Sequence, residues 1–428
     1  MLFRLKTQFI IPIILGILIL TNTDILIASQ PKNNPETSRK DALALKNNFY
    51  TEFVYSDLGK KVPITGNINQ LKSFFNSLKQ SKGSVVRIAH FGDSIILGDI
   101  ISEGLRDNLQ KIFGGNGAGF VSINTEDYGM RKTTTVSFSN DWIEASLFKR
   151  NQDNLPLGIN GCAFVSSIGS YAKYEISRLS STLKFFKTVR LYYLGEGGPC
   201  SIKYQFNNNQ ALSGNLVSNK RVNEIVLNSA SNATSVRLDF PACPKTYFYG
   251  VSMENGNGVY VDNFPMRGQS GIQLTDITMP VLKDFNSLMD YKLIILNYGV
   301  NVVSPEHSDY NWYEVRMEKV INYLKSAFPD AGILIISVGD KSIKKGTKFV
   351  TDPGIPVLLK AQKNLTEKTN VAFWNLYDVM GGKNSIEDWV NAKPQLALRD
   401  YCHLTSEGGN LVADLLTEAI MNEFNKNK

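Results

Sequence analysis

Two periodicities divide the chain. From Ile68 to Leu78 apolar residues recur at helical spacing, and the polar stretch Lys79 to Ser84 leads into the apolar run Val85-Val86-Arg87-Ile88-Ala89-His90-Phe91. That run stops at Gly92-Asp93-Ser94, and Asp99 to Phe113 returns to helical spacing, so the pattern predicts a strand, a tight turn and a helix. After Gly119 the texture changes to a period of two in Thr133 to Phe138, Lys173 to Ile176, Thr188 to Leu194, Ser201 to Phe206, Asn223 to Leu227 and Ser235 to Phe240. Gly, Asn, Ser and Pro separate these segments, which predicts an all-β stretch arranged as a small sandwich. From Gly271 onward strand and helix alternate again. Leu293 to Tyr298, Ile333 to Val338 and Val371 to Leu376 read as strands, with helices near Tyr310 to Phe328, Ile355 to Lys368 and Leu411 to Phe424. Strands spaced by helices predict a mainly parallel sheet covered on both faces.

The N-terminus has its own pattern: Arg4 and Lys6, an apolar run from Phe9 to Leu20, then small residues at Ala28 and Ser29. Residues 1–29 read as a secretory signal peptide or, because the apolar run continues through Ile25 to Ala28, as a retained membrane anchor. Either reading exports the chain to the periplasm or cell envelope. The polar, Pro-bearing stretch from Pro31 to Arg39 makes 30–45 a linker. With 428 residues, 43% hydrophobic and 11% aromatic, the chain has ample material for a large core.

Charge narrows the partners. The net charge is +7, and no basic cluster is interleaved with aromatics, which argues against nucleic acid. A diffuse positive surface suits an anionic cell wall instead. The four cysteines, Cys162, Cys200, Cys243 and Cys402, show no Cys-x-x-Cys spacing, and with three histidines they make no zinc pattern. Export allows a Cys200–Cys243 bridge, although connectivity is not readable from spacing. The glycine-rich Gly114 to Gly119 follows a helix rather than opening one, so it reads as helix termination and not as a phosphate cradle. Neither a cofactor nor a metal is expected, and nothing in the pattern sets an oligomeric state.

The candidate chemistry starts at Ser94, at the carboxyl end of a strand. A serine hydroxyl is a weak nucleophile without a base, an orienting carboxylate and oxyanion donors. Among His90, His307 and His403, the last stands in Asp400-Tyr401-Cys402-His403, where an aspartate three residues earlier can fold back onto the imidazole. His90 lies inside the predicted strand, and His307 follows Pro305 in a loop. Asn301, delivered by the Tyr291 to Tyr298 strand, offers a side-chain N–H for a developing oxyanion. Arg267-Gly268-Gln269-Ser270-Gly271 offers a backbone N–H, and Gly271 is the favoured donor because it precedes the next helical segment.

Gly92-Asp93-Ser94, a loop glycine, Gly299-Val300-Asn301 and Asp400-x-x-His403 together resemble the four sequence blocks of the SGNH (GDSL-type) hydrolases, within which the chain is most similar to the peptidoglycan O-acetylesterase branch. Gly98-Asp99, Phe113 to Phe120, Ala361-Gln362, Ala372 to Gly382 and Trp389 add to the likeness, which runs from about Asn67 onward. It implies a three-layer α/β/α, flavodoxin-like domain with a mainly parallel sheet, formed by 46–132 and 255–428. An all-β, carbohydrate-binding-module-like domain over 133–254 would interrupt it. It further implies Ser94 as nucleophile, His403 as base, Asp400 as its orienter and Gly271 and Asn301 as oxyanion donors. The implied activity is removal of O-acetyl groups from a cell-envelope glycan, O-acetylated peptidoglycan foremost, through an acetyl-enzyme. The same residues would serve an O-acetyltransferase or another carboxylesterase, and a non-catalytic glycan-binding scaffold is the alternative of a different class. The chain departs from the family pattern at Ile95, at Val302 and around Gly271, where an Asn-Gly pair is missing. Trp142, Tyr192 and Tyr193 could stack on sugars, but packing in a β core is their plainer role.

Overall fold

A computed structural model describes residues 58–124, 130–147, 151, 153–180 and 182–427. The expected leader or anchor (1–29) and linker (30–45) lie outside the described residues. Among the described residues no helix is long and apolar enough to cross a membrane.

Six strands form the central sheet in the order Thr65–Gly66, Ala372–Trp374, Gly332–Ile336, Tyr291–Asn297, Val85–Gly92 and Gly258–Pro265. All neighbours run parallel except the antiparallel edge strand Thr65–Gly66. Val85–Gly92 is buried along nearly its whole length, as expected for a parallel strand covered on both faces, which is why its sequence reads as one apolar run. The helix after it buries Ile101, Leu105, Leu109 and Phe113, at the spacing that keeps one stripe inward, and packs on Gly258–Pro265 and on the terminal helix Ser406–Lys426. That helix begins at Ile100; the preceding Ser94–Asp99 is a kinked 3-10 turn.

Among the described residues, the regular elements between these halves are all strands, in a five-stranded and a six-stranded sheet. The strands read from sequence are present, and Ile143–Ser146, Cys162–Val165, Leu212–Leu216 and Thr246–Glu254 join them. Val236, Leu238 and Tyr174 of the five-stranded sheet and Leu191, Tyr193 and Phe248 of the six-stranded sheet belong to one buried cluster, so the two sheets share a core. The alternate residues Tyr192 and Leu194 instead join the core of the central sheet, with Phe264 and Phe285. The middle strands of the six-stranded sheet, Phe186–Gly195 and Thr246–Glu254, are therefore buried on both faces. This explains why Thr246–Glu254 escaped a period-two reading: it is apolar toward both sides. Gly119–Ser122 also pairs with Thr246–Glu254, so this piece ahead of the expected boundary at 133 already belongs to the β sheets.

Charge crosses this junction. Arg87 of the central sheet is bonded to Glu254 and lies 3.5 Å from Asp262, while Arg190 reaches Glu254 at 3.1 Å and Tyr291 donates to Asp262 at 2.7 Å. Tyr192 and Tyr193 are buried and Trp142 packs on Phe240 and Phe248, the core role expected of them. Cys200 and Cys243 are disulfide-bonded with Cα atoms 5.9 Å apart, and Cys162 and Cys402 form no disulfide.

Candidate active site

Gly92 ends its strand in parallel register with Asn297. A Cβ at Gly92 would stand 2.8 Å from the Asn297 carbonyl oxygen, so the two strand ends approach as closely as they do because residue 92 has no side chain. Beyond them the chain turns twice on the same side of the sheet, into Asp93-Ser94 and into Tyr298 to Asn301. Asp93 binds the two turns together. Its backbone N–H donates to Asn297 O at 3.2 Å, and its carboxylate accepts from Ile95 N–H and Gly299 N–H, both at 3.0 Å. The first of these bonds is the capping contact of the 3-10 turn that presents Ser94. Burial pushes the Asp93 carboxyl up to about 6, against the backbone N–H groups of Ile95, Gly299 and Val300, which favour its charged form.

The remaining members arrive from the far end of the chain. Leu398 N–H donates to His403 O at 2.7 Å, and Thr405 caps the terminal helix by accepting from Gly408 N–H at 3.1 Å, which closes 398–405 into a fixed loop. Within it Tyr401 takes a left-handed backbone, φ +56°, unusual for a non-glycine residue and of a kind that concentrates at functional sites. Asp400 Oδ1 accepts from the backbone N–H groups of Cys402 and His403 at 3.0 Å each, while its Oδ2 stands 2.7 Å from His403 Nδ1. Partial burial pushes the Asp400 carboxyl up, but the His403 and Cys402 N–H groups and the imidazole outweigh it and hold it below its ordinary value. With Nδ1–H donated to Asp400, Nε2 is left as an acceptor, and Ser94 Oγ lies 2.8 Å from it. Serine, imidazole and carboxylate, 309 and 3 residues apart in sequence, form one hydrogen-bonded line.

The two candidate oxyanion residues stand on adjoining loops. Asn301 Nδ2 donates to Gln269 O at 3.2 Å, which ties its exposed side chain to the Met266 to Gly271 segment. Gly271 has φ +88°, and a Cβ there would lie 2.8 Å from the Tyr298 ring, so both its backbone and its packing against the Asn301 loop require glycine. Gln362 clamps this end of the sheet from below: its Nε2 donates to Tyr298 O at 2.9 Å and its Oε1 accepts from Val338 N–H at 3.0 Å.

The other histidines stand apart from this line. His90 Nδ1 lies 2.8 Å from Ser102 Oγ, and burial pulls its imidazole down to about 3, so it stays neutral where a general base operates. His307 is exposed beside Tyr310 and Trp312. Cys402, next to His403, has its thiol pushed up to about 12 by burial and is no competing nucleophile. Among the described residues no group of three or more His, Cys, Asp or Glu is placed to hold a metal ion. Sequence reasoning missed the role of Asp93. Its signal was available, since an aspartate directly before a helical turn is a preferred cap.

No protein-family model and no curated protein matches the chain. Solved structures do. A peptidoglycan O-acetylesterase aligns with a TM-score of 0.69 at 20% identity, covering 85% of this chain and 99% of that one. A family two carbohydrate esterase from Cellvibrio japonicus aligns with a TM-score of 0.27 at 10% identity, over 68% of this chain and 98% of that one. An acetyl xylan esterase aligns with a TM-score of 0.29 at 18% identity, over 38% and 80%. Only the first alignment carries weight, and at that identity it shows the fold alone, shared over 85% of this chain.

Proposed function

We propose that this chain is a serine esterase that removes O-acetyl groups from a cell-envelope glycan, with O-acetylated peptidoglycan as the substrate. The observation that carries the proposal is the unbroken line Ser94 Oγ, His403, Asp400, at 2.8 and 2.7 Å. The substrate assignment rests on the peptidoglycan O-acetylesterase fold and on the net positive charge of +7. The two β sheets, formed by Gly119–Ser122 and the strands from Thr134 to Glu254, act as an inserted module on a hydrolase core, and the chain works in the cell envelope, delivered there by its N-terminal segment.

In the proposed reaction Ser94 Oγ attacks the acetyl carbonyl while its proton passes to His403 Nε2. Asp400 holds the imidazole in the tautomer that can accept it and stabilises the imidazolium that forms. The N–H groups of Ser94 and Gly271 and the Asn301 amide receive the oxyanion. Collapse breaks the bond to the sugar oxygen, which leaves with the proton from Nε2. Water then gives a proton to Nε2 and its oxygen to the acetyl carbon, and collapse breaks the bond to Ser94 Oγ, which takes that proton back from Nε2 as acetate leaves.

Acetate release from O-acetylated peptidoglycan and from a small aryl acetate, by the wild type and by Ser94→Ala, tests this. Release from both that depends on Ser94 is expected. Release from the aryl ester alone overturns the substrate, and a Ser94→Ala chain as active as the wild type overturns the mechanism.

A further inference from the structure

Beside the candidate site stands a feature that the reaction does not use. Ser342–Lys345 and Lys348–Thr351 form a two-stranded antiparallel hairpin, closed by Gly346 and Thr347. Its base is fixed to both catalytic loops. Ser342 N–H donates to Tyr401 O at 3.0 Å, and the Phe349 ring stacks on Tyr401 with centroids 3.7 Å apart and planes 10° from parallel. Lys341 Nζ, at the root, donates to Val300 O at 3.4 Å, next to Asn301. On the other side Thr351 N–H donates to Asn384 Oδ1 at 3.0 Å, and its hydroxyl donates to Asp340 Oδ1 at 2.8 Å.

The arm so anchored carries Lys344, Lys345 and Lys348, all exposed. Lys341 at the root lies 4.0 Å from Asp352, whereas among the described residues none of the other three forms a salt bridge. Lys345 and Lys348 are direct cross-strand partners, an arrangement of like charges that weakens a ladder. Lys344 is paired with Phe349 and so shares the face that meets Tyr401. Guarding an exposed strand edge accounts for lysines on such an arm, but not for the like-charge pair of Lys345 and Lys348 across it. A polyanion lying across the site would neutralise them.

We propose that the Lys344–Lys348 hairpin is a substrate subsite that binds carboxylate groups of an anionic glycan whose acetyl ester sits at Ser94. The inference rests on the esterase reading above and adds what the small ester group cannot: recognition of the polymer by its charge. In peptidoglycan the carboxylates of the peptide side chains are the anions. Strands rise about 3.3 Å per residue, so the arm extends on the order of 10 Å beyond Ser342 and engages units of the polymer other than the one being deacetylated.

The test uses the full chain and the triple variant Lys344→Gln, Lys345→Gln, Lys348→Gln, with thermal unfolding as the check that both are folded. Two polymers are compared: O-acetylated peptidoglycan, and the same polymer with its carboxylates converted to methylamides. The readout is kcat/KM on each polymer divided by kcat/KM on an aryl acetate. For the anionic polymer that ratio is expected to fall about tenfold in the variant, the sum of three exposed charge pairs, and to fall with added salt in the wild type only. For the methylamide polymer wild type and variant should agree. A second readout is independent of turnover: the Ser94→Ala chain, with and without the three substitutions, is sedimented with insoluble peptidoglycan. If the wild type fails to deacetylate peptidoglycan yet the lysines govern co-sedimentation, the esterase substrate is wrong and the subsite stands. Equal ratios and equal co-sedimentation overturn the subsite and leave the lysines as protection of an exposed strand edge.

Discussion

Asp93→Asn separates two contributions that meet in one carboxylate. The substitution keeps the shape of the side chain but leaves one acceptor oxygen where Ile95 N–H and Gly299 N–H now each have one, and it turns an NH₂ toward a backbone donor. Losing a bond from a backbone N–H to a charged acceptor costs roughly 1.5–3 kcal/mol. If that loss falls on the alignment of Ser94 with the Asn301 loop, it slows aryl acetate hydrolysis about ten- to a hundredfold. Stability moves the other way with pH. Burial raises the Asp93 carboxyl from 3.8 to about 6, so ionising it in the folded protein costs on the order of 3 kcal/mol at about 1.4 kcal/mol per unit. Because the folded value lies above the unfolded one, the favourable contribution of the neutral acid is full below about pH 4 and is lost as pH rises through 6. The variant has no such term. The stability of the wild type relative to the variant should therefore fall by about 3 kcal/mol between pH 4 and pH 7. Urea unfolding at both pH values, with kcat/KM on an aryl acetate at pH 8, measures each part. A variant within twofold of wild-type kcat/KM refutes the positioning role, and a stability gap that ignores pH refutes the electrostatic account.

Three further outcomes follow from the geometry. His403→Ala removes a base from a half-exposed loop, so turnover should fall by roughly 10³-fold or more while the unfolding midpoint in urea barely moves; a comparable loss in both would mean the loop had collapsed. Gly271→Ala places a methyl 2.8 Å from the Tyr298 ring at φ +88° and should cost about 1–3 kcal/mol with a matching loss of kcat, read by thermal unfolding and ester hydrolysis together. Reducing the Cys200–Cys243 bond, which spans 43 residues, should lower stability by up to about 4 kcal/mol. Aryl acetate kcat measured below the melting transition should not change, because the bond lies among the β strands and not in the catalytic loops.

How much of this was legible in the sequence depended on whether a signal was local. Val85–Gly92 and the helix behind it were readable because a parallel strand and an amphipathic helix each write their burial as a pattern a few residues long. Thr246–Glu254 was not, since burial on two faces erases alternation. The Ser342–Thr351 hairpin escaped for the opposite reason: its residues are largely polar and exposed, and only pairing reveals it. Ser94, Asp400 and His403 were each readable as residue types in turn contexts, but the 2.8 Å contact across 309 residues is a property of the folded chain.

The same distinction locates where the site is vulnerable. Within each loop the local bonds are short-range: Asp93 caps its own turn, and Asp400 accepts from Cys402 and His403. The alignment of one loop with another rests on a few long-range ties, namely Gly299 N–H to Asp93, Asn301 to Gln269, Lys341 to Val300, and Ser342 to Tyr401. A change at any of these leaves every catalytic side chain present and locally well formed while displacing it from its partner. Misplacement on the order of 1 Å can cost about 10²-fold in rate. Activity in this chain should therefore be more sensitive than stability to substitutions at Asp93 and Lys341, whose side chains make two of these ties.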